Sequence, residues 1–216
     1  MNNKEIKFLI NLYKIESNNA FLSLSDKDIM SFYKIILEAY KNEKQIFACG
    51  NGGNVASVQN LVVDLNMHPF VSEDKDKPVK NRNKFHAISL CDNSAVITGM
   101  TNDIGFDNIF STQLIFQGNK GDVLFAMSGS GNSKNIINAL EEAKRIGMKT
   151  ILITRGYNTR CEKIADLTLK IKGVSKFPGQ TGGNNNNFHY EDCISKVTHI
   201  VVGLLKQYVQ NENKTE

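Results

Sequence analysis

The sequence predicts an α/β protein with a mostly parallel, doubly wound sheet flanked by helices. Short apolar runs, of the length of buried strands, alternate along the chain with longer segments whose apolar residues recur every three or four positions. Two of the runs end in glycine-rich turns, and 41% of the 216 residues are hydrophobic, enough for one sizeable core. We therefore expect a single domain over 1–216, with an N-terminal helical extension at 1–43 and an α/β core at 44–216.

Two amphipathic helices open the chain. Ile6, Leu9 and Tyr13 recur at helical spacing in a predicted helix over 6–22. A second helix begins after Ser25, a good N-cap residue that is followed by acidic residues in the first turn. The remaining segments alternate between the two classes. We predict strands at 45–49, 84–90, 122–127, 149–154 and 167–171, and helices at 55–65, 94–100, 107–116, 134–146, 161–165 and 190–209.

Two polar segments interrupt this alternation. Residues 69–83 form a predicted charged loop with two prolines. Residues 179–187 are rich in Gly and Asn and contain little that can be buried. Because this second segment leads into the last predicted helix, it is either a lid over a site or a plain surface insertion.

Charge and hydropathy exclude several classes of protein. The net charge of +4 comes from 26 basic and 22 acidic residues, and much of the basic excess lies in 75–84, which is typical of a solvated loop. No apolar stretch approaches the roughly 18 residues of a membrane span, and the first residues lack the apolar core of a secretory signal. We expect a cytoplasmic protein that binds neither nucleic acid nor membrane. The four cysteines form no metal or redox pattern, and three adjoin apolar stretches, which indicates core residues.

The most informative motif is the turn Ser128-Gly-Ser-Gly-Asn-Ser133, which joins a predicted strand to a predicted helix. Hydroxyls and glycine amides at a helix amino terminus suit an anion. Because no Lys follows at Walker A spacing and no G-x-G-x-x-G is present, the turn fits one phosphomonoester better than a nucleotide. The alternative is an ordinary turn that Ser caps.

A second glycine-rich turn, Gly50-Asn-Gly-Gly53, follows the predicted strand at 45–49. In parallel sheets ligands bind beyond the carboxyl ends of the strands. We therefore expect the two turns to meet at one site.

These two turns, together with Thr101-Asn-Asp103, Gly105-Phe106 and Gly121-Asp-Val-Leu124, stand in the order found in sugar isomerase (SIS) domains. Over nearly its whole length the chain resembles the phosphoheptose isomerases, which interconvert sedoheptulose 7-phosphate and D-glycero-D-manno-heptose 7-phosphate. The resemblance implies a flavodoxin-like sandwich assembled as a homotetramer, with active sites between subunits.

The resemblance also implies which residues bind the phosphorylated sugar. It assigns the phosphate to Ser128, Gly129, Ser130 and Ser133, and the sugar to Asn51, Gly52, Gly53, Asn54, Asn102 and Asp103. Asn54 stands where the family usually has Ser, and its amide retains a hydrogen-bond donor.

The catalytic and metal positions depart from the family. Its His, Glu, Gln and His, which can bind zinc, correspond to Asn60, Asp64, Glu191 and His199. Transfer of a proton through an enediol needs a base and an acid, roles that fall to Asp64, Glu191 and His199. Asp64 is one methylene shorter than Glu, and a misplacement of about an angstrom costs roughly 100-fold in rate. An amide is a poor zinc ligand, which weakens the case for a metal. We therefore expect either no cofactor or one divalent metal, such as zinc, at these four positions.

Two functions from different classes follow. The leading one is an aldose–ketose isomerase that acts on a heptose phosphate or a related phosphorylated ketose. The other is a non-catalytic SIS protein that binds a phosphosugar or a partner such as a replication initiator, an alternative that the altered quartet keeps open. Arg155 and Lys196 are expected at the site edge or in solvent, and His189 is expected to contact nothing of the site.

Overall fold

The computed structural model describes residues 1–79 and 83–215, so residues 80–82 of the predicted charged loop and basic segment lie outside the description. Five strands and eight α-helices are found within these residues. The strands are β1 Gln45–Gly50, β2 His86–Ser89, β3 Val123–Met127, β4 Lys149–Thr154 and β5 Leu167–Lys170. The helices are α1 Asn3–Leu22, α2 Asp26–Lys41, α3 Asn54–Met67, α4 Ser94–Ile104, α5 Ile109–Gln117, α6 Lys134–Ile146, α7 Arg160–Ile164 and α8 Asn187–Thr215.

The strands form one sheet in the order β2-β1-β3-β4-β5, and every neighbouring pair is parallel. The predicted fold class is therefore confirmed. The chain moves outward from β1 to β2 and then returns to place β3 on the other side of β1. This reversal is the topological switch point at which doubly wound sheets form a crevice for ligands.

Helices cover both faces of the sheet. Side chains alternate between the two faces of each strand, so Ile46 and Phe125 pack against α1, α2, α3 and α8, whereas Phe47 and Leu124 pack beneath α5, α6 and α7. Burial on both faces explains why the strands read as continuous apolar runs in the sequence. No helix among the described residues is long and apolar enough to span a membrane.

Cys49, Cys161 and Cys193 are buried, as predicted. Burial raises the pKa of the Cys161 and Cys193 thiols to about 11, which keeps them protonated and unreactive at neutral pH. These cysteines act as small core residues.

Helix α8 begins three residues earlier than the sequence indicates and continues to Thr215. Asn186 adopts a positive φ of 62°, a conformation that does not fit a helix, so the helix begins directly after it. The extra turn places Asn187 and Glu191 four residues apart on one face of α8. Both side chains contribute to the candidate site.

Candidate functional site

The two glycine-rich turns meet at the switch point, as predicted. Gly50 at the end of β1 is in register with Met127 at the end of β3, so the two turns start side by side. The amides of Asn51 and Asn135 then exchange two hydrogen bonds, of 2.9 and 2.8 Å. Asn135 lies in the first turn of α6 and is only 2% exposed. This reciprocal pair fastens the turn after β1 to the turn after β3.

The serine turn is ordered by its own hydroxyl oxygens. The buried Ser128 Oγ accepts a hydrogen bond from the Gly131 amide (3.1 Å), and Ser130 Oγ accepts one from the Asn132 amide (3.2 Å). Both hydroxyls keep a hydrogen to donate. Ser133 is the N-cap residue of α6, but its side chain makes no capping hydrogen bond. The turn is therefore not the plain serine cap that the sequence left open, and the α6 amino terminus retains its positive end for an anion.

Asn54 stabilises the glycine-rich turn that follows β1. Its Nδ2 donates to the Asn51 carbonyl (3.1 Å), so one of its two amide hydrogens is used within the turn. Its Oδ1 is buried and has no partner among the described residues. Asn54 therefore retains one amide hydrogen to donate, besides the unpaired buried oxygen.

The start of α8 docks on both turns through two polar side chains. A Cβ atom at Gly53 would lie 2.6 Å from Glu191 Oε1, and one at Gly129 would lie 3.1 Å from Asn187 Oδ1. These two glycines thus leave room for a carboxylate and an amide. Asn187 Nδ2 also donates to Glu191 Oε1 at 2.9 Å. Glu191 is thereby held beside the turn that the resemblance assigns to the sugar.

Asn60, Asp64 and His199 form a separate cluster between α3 and α8. Asn60 Nδ2 donates to Asp64 Oδ2 at 3.2 Å and lies 3.2 Å from His199 Nε2, which in turn lies 3.4 Å from Asp64 Oδ2. The His199 side chain is 60% exposed and that of Asp64 is 24% exposed. Glu191 lies eight residues before His199, about 12 Å along the same helix. The structure thus brings three of the four family positions together and places Glu191 apart from them.

This cluster does not fit a tetrahedral zinc site. The Asn60 amide nitrogen stands between the carboxylate and the imidazole, the two groups that would bind the ion, and an N–H donor cannot ligate a cation. Within 1–79 and 83–215, no group of three His, Cys, Asp or Glu side chains is arranged to hold a metal ion. The residues of a single chain therefore provide a carboxylate and an imidazole 3.4 Å apart, both in contact with the Asn60 amide.

Asn102 and Asp103 lie on the exposed carboxyl-terminal part of α4. Asn102 Nδ2 donates to Asp103 Oδ1 at 2.9 Å. Among the described contacts, no hydrogen bond joins either residue to the two glycine-rich turns. Helix α4 has no buried residue, so these two predicted sugar contacts stand apart from the rest of the site in one chain.

Arg155 lies at the edge of the site, one of the two places expected for it. It follows β4, and its Nη2 donates to the Gly183 carbonyl at 2.6 Å, while Nε reaches Asn187 Oδ1 at 3.4 Å.

The sequence did not reveal Asn187 and Asn135, the two amides that connect the parts of the site. A buried or half-buried Asn in a helix carries no periodic signal, because polar residues are normally placed on the solvent face.

His189 belongs to a buried polar network outside the two turns. It is fully buried, and its Nε2 is 3.2 Å from Glu16 Oε2 and 3.3 Å from Gln180 Nε2. Burial alone would raise the pKa of Glu16, but hydrogen bonds from the Ser175 hydroxyl, the Lys176 amide and His189 outweigh burial and lower it. This network fastens α1 to the polar loop that precedes α8.

Comparison with known proteins places the chain among SIS-domain proteins. Residues 15–155 match a family model described as SIS domain. A phosphoheptose isomerase of Vibrio vulnificus is 32% identical over 181 residues, which span 82% of this chain and 82% of that protein. The corresponding protein of Buchnera aphidicola subsp. Acyrthosiphon pisum is 36% identical over 180 residues, which span 82% and 81%. A solved phosphoheptose isomerase from Neisseria gonorrhoeae shares the fold, with a TM-score of 0.76, 22% identity, and coverage of 94% of this chain and 99% of that one.

Proposed function

We propose that this chain, which belongs to the phosphoheptose isomerase family of SIS-domain proteins, interconverts sedoheptulose 7-phosphate and D-glycero-D-manno-heptose 7-phosphate. One observation carries the proposal: the glycine-rich turns after β1 and β3 meet at the switch point and are tied by the Asn51–Asn135 amide pair. Open α/β sheets bind their ligands in this crevice. The serine turn and the α6 amino terminus supply donors for a phosphate dianion.

The chemistry requires a proton to move between two adjacent carbons while their oxygens exchange protons. With the phosphate in the serine turn, the sugar extends across the crevice toward Gly53, where the Glu191 carboxylate lies. Within a single chain, Glu191 therefore places a carboxylate beside the proposed phosphate site. The Asp64–His199 pair provides a second acid–base group, because an imidazole can both donate and accept a proton.

Exposed apolar side chains support a homotetramer. Phe8 and Ile15 on α1 are 64% and 60% exposed, and Phe116 at the end of α5 is 77% exposed. Exposed apolar surface of this kind marks subunit interfaces. Assembly would also give Asn102 and Asp103 on α4 a site to complete in a neighbouring subunit. Light scattering coupled to gel filtration tests the tetramer. The cytoplasmic location stays a prediction from the sequence.

A coupled assay with sedoheptulose 7-phosphate, with and without divalent metal, tests the activity. We expect aldose product from the wild-type protein and a rise in melting temperature with the same sugar phosphate, because a ligand that binds the folded state stabilises it. Ser130→Leu should abolish both effects, whereas Ser31→Leu on α2 is the matched control. A melting-temperature shift with no product would favour the non-catalytic binding protein instead.

A further inference from the structure

Two side chains, Arg155 and Asn187, connect the serine turn to Glu191. Arg155 Nε approaches Asn187 Oδ1 at 3.4 Å, and Asn187 Nδ2 donates to Glu191 Oε1 at 2.9 Å. The amide of Asn187 therefore has a cation at its oxygen end and a carboxylate at its nitrogen end. Reversal of the amide would place its oxygen against the carboxylate and its N–H groups against the guanidinium, so the charges select one orientation.

Arg155 is itself held in place. Its Nη2 donates to the Gly183 carbonyl at 2.6 Å, and its Nε would lie 3.4 Å from a Cβ atom at Gly129. None of the described ion pairs involves Arg155. The guanidinium thus rests on the serine turn with donors to spare, where its charge favours an anion in the turn.

We propose that Arg155 and Asn187 are positioning residues that hold the Glu191 carboxylate beside Gly53 for proton transfer. This inference rests on the proposed isomerase function. A Glu side chain has many rotamers, and the bond from Asn187 selects the one that lies against Gly53. Displacement of a reacting group by about 1 Å costs roughly 100-fold in rate. Phosphate in the serine turn keeps the guanidinium there by charge attraction, so substrate binding stabilises the whole chain of contacts.

The step assigned to Glu191 conserves all atoms and electrons. In the ketose-to-aldose direction the carboxylate removes a proton from C1 while the C2 carbonyl oxygen gains one from His199, the second acid–base group, which gives the enediol. The carboxyl group then returns its proton to C2, and the hydroxyl on C1 gives its proton back to His199 to become the aldehyde. No oxidant, reductant or co-reactant is needed.

The first test separates kcat from KM in three variants. Asn187→Ala should lower kcat about 10- to 100-fold and change KM less than about threefold, because the phosphate contacts stay. Asn187→Asp should lower kcat further, since it places a second negative charge beside Glu191. Arg155→Gln should lower kcat and also raise KM, because it removes charge from the serine turn.

Two variants serve as matched controls. Asn185→Ala removes a 2.9 Å hydrogen bond to the Ser175 amide in the same loop but does not touch Glu191. Arg160→Gln removes a 65% exposed arginine that pairs with Glu141 at 3.6 Å. Both should keep kcat within about twofold. If Asn185→Ala lowers kcat as far as Asn187→Ala does, loop loosening explains the loss and the proposal is overturned.

A second measurement does not depend on turnover. Carbon-13 labelling of the Glu carboxyl groups identifies Glu191 as the signal that is missing in Glu191→Gln. We expect Asn187→Ala to shift that signal and to leave the affinity for inorganic phosphate, measured by calorimetry, within about threefold. An unchanged Glu191 signal refutes the positioning role. If the wild-type protein forms no product, the proposed function fails, while the signal still decides this inference.

Discussion

Replacement of Gly53 by Ala tests the role of Glu191 with little disturbance of the fold. Gly53 has φ −56° and ψ −28°, a conformation open to any residue, so Ala brings no backbone strain. The new Cβ atom would lie 2.6 Å from Glu191 Oε1, whereas ordinary contacts begin near 3.4 Å, so the carboxylate must retreat by about 0.8 Å. Because the obstacle is the end of a flexible side chain, it can move away.

The magnitudes for stability and activity differ. Gly→Ala at a compatible position stabilises by roughly 0.4–1 kcal/mol, and loss of the Asn187–Glu191 hydrogen bond costs roughly 0.5–1.5 kcal/mol. The free energy of unfolding should therefore change by less than about 1 kcal/mol. A retreat of this size should lower kcat by up to about 100-fold.

The assay pairs kcat from the coupled reaction with thermal unfolding of the same preparation. Gly203→Ala is the matched control, because Gly203 lies in α8 and a Cβ atom there meets nothing within 4 Å. It should raise stability by roughly 0.5–1 kcal/mol and leave kcat unchanged. A folded Gly53→Ala protein that keeps kcat within about threefold would show that Glu191 does not act in proton transfer.

Three further predictions follow from the other clusters. His199→Gln should lower kcat by roughly 10²- to 10⁴-fold without changing phosphate affinity by calorimetry, since general acid–base catalysis contributes about that factor; an unchanged kcat would remove His199 from the mechanism. Asn60→His should raise zinc affinity in a competition titration with a chromophoric chelator, because it places a second imidazole beside Asp64; no increase would mean that the geometry, and not the amide, excludes the metal. The lowered pKa of Glu16 adds stability that is present above the unfolded-state value of 4.5 and is lost as pH falls from there through the lower pKa of the folded state, so Glu16→Gln should flatten the decline in melting temperature below about pH 4.5. An equal decline in both proteins would contradict that linkage.

Local patterns were sufficient for most of the fold. The helix predicted at 134–146 and the strand at 149–154 have the bounds of α6 and β4, because apolar periodicity and length are properties of consecutive residues. Ser25 caps α2 as predicted, accepting a hydrogen bond from the Asp28 amide. The start of α8 was less accurate, because it depends on the φ of Asn186 and on tertiary contacts of the residues that follow.

The candidate site was predictable only where consecutive residues build it. The serine turn is such a segment, since hydroxyls, glycines and a helix start lie within six positions. Asn135 and Asn187 join elements distant in sequence, and their partners were not visible until the sheet brought β1, β3 and α8 together.

The sequence by itself determined the strand and helix pattern, the order of the motifs and the kind of ligand that a turn of hydroxyls and glycines suits. Only the tertiary structure decided which acid–base groups lie near that turn. Family positions place Glu191 and His199 in one quartet, yet in the fold Glu191 meets Gly53 and Asn187, whereas His199 meets Asn60 and Asp64. The physical reason is that distances across a fold depend on helix geometry and packing, which a match of residue types does not contain.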